Sequence, residues 1–322
     1  MIQRPLKVLV SGSSGLIGRS LTQRLRELNC DVIPLVSSQS KSSSSRSVKW
    51  NPSAFKDQSK DEPFLSKLPV NDADIDAVVH LGGAPLQPLW TSSMKTKVYE
   101  SRVGGAKALT NWMANLPARD EKRVLITASG VGSYLRPEDY SGPALTEVDP
   151  VERDNNFLAK VAYDSEHACD PIKAQARVVH ARFGVVLDPN GGALQQMLLP
   201  FKLGLGGPMG SGQQIFPWVS LRDVVESLIF MLGNPKIQGP VNVVSPTAAT
   251  TTQKQFAQAL GKSLNRPAVI PLPGFVLRTV MGREAAECML LGSMKVAPRV
   301  LAEAGFDFKD KNIEVFLKQM NQ

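Results

Sequence analysis

What most limits the fold of this chain is its first thirty residues. A short apolar run over residues 6–10 reads as a buried strand, the loop SGSSGLIG follows, and a helical pattern runs over about 16–28. In the spacing Gly12-x-x-Gly15-x-x-Gly18 the first glycine permits a tight turn. The second lets backbone approach a pyrophosphate, and the third allows the helix to pack close on the strand. The helix then points free amide groups and the positive end of its dipole at whatever anion sits on the loop. A structural glycine turn has the same letters, so it is the strand before and the helix behind that make this an expected dinucleotide site.

The rest of the N-terminal half continues the alternation. Strands are expected over 31–36, 76–81, 123–128 and 177–187, and helices over 92–115 and 157–170. Strands that alternate with helices imply an α/β fold, a Rossmann-type doubly wound parallel sheet with helices on both faces. After Asp188 the chain turns Gly- and Pro-rich, then gives a helix over 221–232 and a strand over 241–244. We read 1–187 as the dinucleotide-binding part and most of 188–322 as a smaller substrate-side part, with the chain free to cross between them more than once.

Composition narrows the function classes. With 43% hydrophobic and 20% charged residues in 322, the chain is neither disordered nor collagenous. No apolar run reaches the roughly 18–20 residues that span a bilayer, so no membrane insertion is expected. Cys30, Cys169 and Cys288 lie far apart without C-x-x-C spacing, which argues against a disulfide framework or a metal site and suits the cytoplasm. The net charge is +8, and residues 1–60 hold ten Lys/Arg against three acids. No basic run carries interleaved aromatics, so no nucleic acid is expected. The excess is either a solvated face or the attraction for an anionic small molecule.

Strand two decides which dinucleotide. An acid at its end would hold the ribose hydroxyl of NAD, whereas a base would accept the extra phosphate of NADP. The sequence there reads Val36-Ser37-Ser38, with no acid, and Arg19, Lys41 and Arg46 are near in sequence. NADP is the expected cofactor.

Several segments together are recognisable. The loop GSSGLIG, the strand DAVVHLGG, the stretches RFGVVLDPNGGAL and MLLPFKLGLGGPMGSGQQIFPW, and the tail KVAPRVLAEAGFDF resemble an atypical short-chain dehydrogenase/reductase family. It is epimerase-like, of the bacterial cell-division-inhibitor-homologue type, and the resemblance covers essentially the whole chain. It implies an extended short-chain dehydrogenase architecture whose C-terminal domain of unknown function falls at about 266–314. On the family's pattern the cofactor contacts fall on Gly12, Ser14, Gly15, Leu16, Ile17 and Gly18. They continue with Ser37 and Ser38, Leu81 and Gly82, Lys97 and Arg102, and Val186. The family's strand-two arginine is missing, and Lys41 or Arg19 is the expected replacement.

The catalytic pattern is incomplete. Short-chain dehydrogenases use Tyr-x-x-x-Lys on one helix face, where the lysine lowers the tyrosine pKa. Tyr99, Tyr134, Tyr140 and Tyr163 are followed four residues on by Val103, Glu138, Ala144 and His167, never by lysine. Ser129, at the end of a strand, and Tyr134 remain as candidate catalytic residues, and packing or capping is the alternative for each. Tyr163 with His167 is a weaker pair, with Lys160 one turn before it. The family's Trp-x-His reads Trp218-Val219-Ser220. His80 and His180 read as core histidines on apolar strands. Two functions follow. One is an NADP(H)-dependent, epimerase-like oxidoreductase acting on an unknown small carbonyl or hydroxyl substrate, possibly a sugar nucleotide. The other is a non-catalytic NADP-binding sensor or regulator.

Overall fold

The computed structural model describes residues 2–37, 47–51, 68–136 and 141–320. Seven parallel strands form the main sheet: β1 (Lys7–Ser11), β2 (Asp31–Ser37), β3 (Val48–Trp50), β4 (Ala77–His80), β5 (Arg123–Gly130), β6 (Ala176–Phe183) and β9 (Gly239–Val243). Their spatial order is β3-β2-β1-β4-β5-β6-β9. A second, two-stranded parallel sheet pairs β7 (Val185–Asp188) with β8 (Trp218–Ser220).

The core follows from the two-residue period of the strands. Val8 and Val10 face one layer, where they pack with Leu21 and Leu25 of the helix Leu16–Glu27 and Val224 and Leu228 of the helix Leu221–Gly233. Leu9 faces the other, with Leu109 and Met113 of the helix Gly105–Ala114. Both faces are covered, so the strands read as continuous apolar runs rather than alternating ones. Strand order reverses between β1 and β4, and such a switch point opens a crevice at the carboxyl ends of the strands. The glycine loop lies there.

Two features depart from the sequence reading. The edge strand β3 was not expected. The run over 177–187 is two strands rather than one, because the chain leaves the main sheet at Gly184. A Cβ there would lie 2.1 Å from the Pro217 carbonyl oxygen, so only glycine lets the two backbones approach. β9 and the helix Leu221–Gly233 pack with the main sheet, so the chain crosses back to the first part after residue 187. A separate apolar cluster that includes Trp218, Phe216 and Phe256 gathers part of the C-terminal residues, while Leu301 and Phe308 join the main-sheet core and Leu277, Met281 and Leu291 form a cluster of their own.

Candidate functional site

The glycine loop is closed sterically at two points. Gly12 has φ +70°, and a Cβ on it would lie 2.6 Å from the Leu81 backbone. A Cβ on Gly18 would lie 2.1 Å from the Gly12 carbonyl oxygen. The helix starts at Gly15, which offers no side-chain cap, and its first turn holds no acid. Its first amide groups are thus available to a ligand on the loop.

Beneath the loop, the Gly82 N–H donates to Ser11 Oγ at 3.2 Å, and Ser11 Oγ and His80 Nδ1 share a hydrogen bond of 2.6 Å. His80 therefore ties the loop after β4 to the end of β1. Burial pushes its pKa down to about 4, against the Arg102 backbone carbonyl, which favours the charged ring. The ring fits because residue 105 is glycine, where a Cβ would come within 2.7 Å of it. This is a core histidine with a positioning task.

The helix expected over 92–115 has a wide π turn at Glu100–Gly104, a feature often found at functional sites. Arg102 sits in that turn. Its guanidinium donates to the Ala84 carbonyl at 2.9 Å and makes no ion pair among the described residues. Burial lowers its pKa. An unpaired guanidinium on a cavity wall is suited to an anionic ligand.

Two cavities meet at the loop. One, of about 1050 Å³, is lined by Gly12, Ser14, Arg19, Ser37 and Gly82, together with Arg26. The other, of about 560 Å³, is lined by Gly15, Leu16, Ile17, Gly18, Leu81 and Arg102, and by Ser129 and Val186 deeper in. Nearly all the expected cofactor contacts therefore border one continuous crevice. Arg26 was missed, although its position two turns after Arg19 on the same helix was a usable signal. Lys97 is not brought there. It is on the exposed side of its helix and lines neither cavity. Ser38, Lys41 and Arg46 lie outside the described residues.

The candidate catalytic residues separate. Ser129 borders the second cavity and donates its proton to Glu166 Oε1 at 2.8 Å. Glu166 is held by Arg182 through two hydrogen bonds of 2.8 and 2.6 Å. Burial would raise the Glu166 pKa, but the bonds and charge of Arg182 outweigh it and the net shift is down, so the group stays a carboxylate. Tyr134 is fully buried, and its hydroxyl bonds Arg182 Nη1. It lines none of the three cavities around the loop, and burial pushes its pKa up to about 12. A phenol without access to a cavity cannot exchange a proton with a ligand in it, so the expectation for Tyr134 does not fit its position. Tyr163 stacks on His167 at 3.8 Å, away from the cavities, and Lys160 is exposed. The cavity-facing positions on that helix are instead Leu158, Val161, Ala162 and Ser165. Trp218 is core, and Ser220 caps the next helix.

A third cavity, of about 720 Å³, adjoins the second through shared wall residues that include Gly130, Gly132, Leu158 and Val185. Its far wall comes from the glycine-rich segment after residue 202, which contributes Leu205, Gly206, Gly207 and Met209. A Cβ on Gly207 would lie 2.1 Å from the Ile270 carbonyl oxygen, so this glycine lets the segment close against the C-terminal part. Among the described residues, no group of three or more His, Cys, Asp or Glu is placed to hold a metal ion, and no helix is long and apolar enough to cross a membrane.

Known proteins agree with this geometry. The NAD dependent epimerase/dehydratase family model matches residues 8–244, and a domain of unknown function matches residues 272–320. Epimerase family protein SDR39U1 of Bos taurus is 36% identical over 321 residues, covering 98% of this chain and 99% of its own length. The crystal structure of human SDR39U1 with NADPH superposes with a TM-score of 0.84 at 32% identity, covering 98% of this chain and 99% of that one. A nucleoside-diphosphate sugar epimerase from Corynebacterium glutamicum superposes with a TM-score of 0.71 at 27% identity, covering 99% of this chain and 58% of that one. The chain thus belongs to the NAD dependent epimerase/dehydratase family, as an atypical member that joins the family's Rossmann-type fold to this C-terminal domain.

Proposed function

We propose that the chain binds NADP(H) in the crevice at the glycine loop and acts as an oxidoreductase on a small carbonyl or hydroxyl compound held in the adjoining cavity. The observation that carries this reading is the loop itself: Gly12 and Gly18 leave room only for backbone, beside an uncapped helix start. Arg19 and Ser37 share one cavity, where they would meet the adenosine phosphate, and Arg102 would meet the pyrophosphate. The NADPH in the human relative supports the choice of cofactor. When bound, such a cofactor supplies or takes up a hydride.

The chain's own contribution is orientation. Ser129 spends its one proton on Glu166, so its free lone pair faces the cavity as an acceptor. It would accept a hydrogen bond from a ligand hydroxyl, and as that proton moves to Ser129 the serine's own proton would move to the Glu166 carboxylate that Arg182 keeps ionised. The test is NADPH binding followed by nicotinamide fluorescence, then NADPH oxidation across a panel of carbonyl compounds. Ser129→Ala should leave NADPH affinity intact and lower turnover by on the order of a hundredfold. Unchanged turnover in that variant would remove Ser129 from the chemistry.

One observation favours a second reading, a non-catalytic cofactor-binding regulator. The helix face that would carry a Tyr–Lys pair bears Leu158, Val161, Ala162 and Ser165. Tight NADPH binding with no turnover on any carbonyl or alcohol would select this reading.

A further inference from the structure

The third cavity has a chemistry of its own. Five methionines line it: Met197, Met209, Met281, Met289 and Met294. Phe201, Phe216 and Phe256 add aromatic surface, and among the described residues no Lys, Arg, Asp or Glu lines the wall. Its two amide side chains are Gln196, which is exposed, and Gln253, whose carbonyl accepts the Met209 N–H at 2.8 Å. A diphosphate placed here would lose its hydration with no cation to replace it, which is strongly unfavourable.

The mouth has the same character. Leu205, Ile270 and Leu272 line the cavity and are also 60%, 47% and 40% exposed. Large apolar side chains that face both the cavity and water mark where an apolar ligand enters. Methionines are flexible and polarizable, so they fit ligands of variable shape rather than one rigid ring. Where the cavity meets the cofactor crevice, Ser129 stands close to the shared residues Gly130 and Gly132 and gives one polar contact for a ligand oxygen.

We propose that the ligand of this cavity is an uncharged lipophilic alcohol, with its hydroxyl donating to Ser129 and its hydrocarbon body among the methionines, and not a sugar nucleotide. The inference rests on the proposed cofactor site only for the direction of the oxygen. Burial of a hydrocarbon chain sets the scale: each added methylene should raise affinity about fourfold.

The test uses the full chain with saturating NADPH and the neutral dye Nile red as a reporter of the cavity. Hexanol, octanol and decanol should displace the dye, each about fifteenfold more tightly than the one before, and UDP-glucose should not displace it. Leu205→Glu and Ile270→Glu, both at exposed positions, should weaken alcohol binding at least tenfold while NADPH affinity stays unchanged. Displacement by UDP-glucose, a flat alcohol series, or no dye binding would each overturn the proposal. If NADPH fails to bind while the alcohol series still rises, the cofactor reading falls and the lipophilic cavity stands.

Discussion

Replacing Arg182 by methionine would remove one half of a buried ion pair. Arg182 and Glu166 are 5% and 7% exposed, and both guanidinium–carboxylate bonds are short, at 2.8 and 2.6 Å. Arg182 also bonds the Tyr134 hydroxyl and lies 5.1 Å from the centre of its ring. Without it, a carboxylate remains in the interior with the Ser129 hydroxyl bonded to it and His180 nearby but no cation, and Tyr134 loses its partner. Breaking such a pair from one side costs about 3–5 kcal/mol. Replacing both members by apolar groups removes the stranded charge, so Arg182→Met with Glu166→Leu should cost well under the sum of the two single changes. Urea unfolding of the cofactor-free protein, followed by its tryptophan fluorescence, measures all three variants.

The pH dependence gives the same argument a sign. In the native protein the Glu166 pKa is held below its ordinary value. Its contribution is therefore present above about pH 4.5 and is lost as pH falls through the lowered pKa. In Arg182→Met, burial is opposed only by the Ser129 hydrogen bond and the influence of His180 and raises that pKa, so the group destabilises the fold at neutral pH and recovers as it takes up a proton. The cost of the substitution should then be smaller at pH 5 than at pH 8. A cost below about 1 kcal/mol, or strict additivity in the double variant, would show that the pair does not act as a desolvated charge couple.

Three further outcomes follow. Gly18→Ala sets a Cβ against the Gly12 carbonyl and should weaken NADPH binding by on the order of a hundredfold, measured by calorimetry. Arg19→Ala should reduce the preference for NADPH over NADH by roughly ten- to a hundredfold, the worth of one charge-assisted hydrogen bond, in parallel titrations of both cofactors. His80 and His180, both buried with pKa values pushed down to about 4, stay neutral in the folded protein while the unfolded chain takes up protons below about pH 6.5. Stability should therefore fall between about pH 6.5 and 4, by about 3 kcal/mol for each ring, and His180→Asn should remove its share of that slope in unfolding midpoints taken across the range.

Local chemistry made part of this protein legible from its letters. The turn at Gly12, the close packing at Gly18 and the helix that starts on the loop follow from sterics within seven residues, and the alternation of strands and helices follows from periodicity. These were enough to expect the doubly wound sheet and a dinucleotide site at the glycine loop, whereas Leu81, Gly82, Arg102 and Val186 were expected only from the family resemblance. Tertiary structure decided what depends on distant segments. Arg102 and Lys97 lie on the same helical stretch, but the π turn and the packing against Ala84 bring only Arg102 to the crevice. Tyr134 was a reasonable candidate from its neighbourhood, yet Arg182, a strand away, claims its hydroxyl inside the core. The split of the sixth strand depends on Pro217 approaching Gly184, and the methionine-lined cavity gathers side chains from segments far apart in the chain. No local pattern encodes such a cavity, because its apolar residues look the same in sequence as those that fill a core, and only the packing that leaves a space between them distinguishes the two.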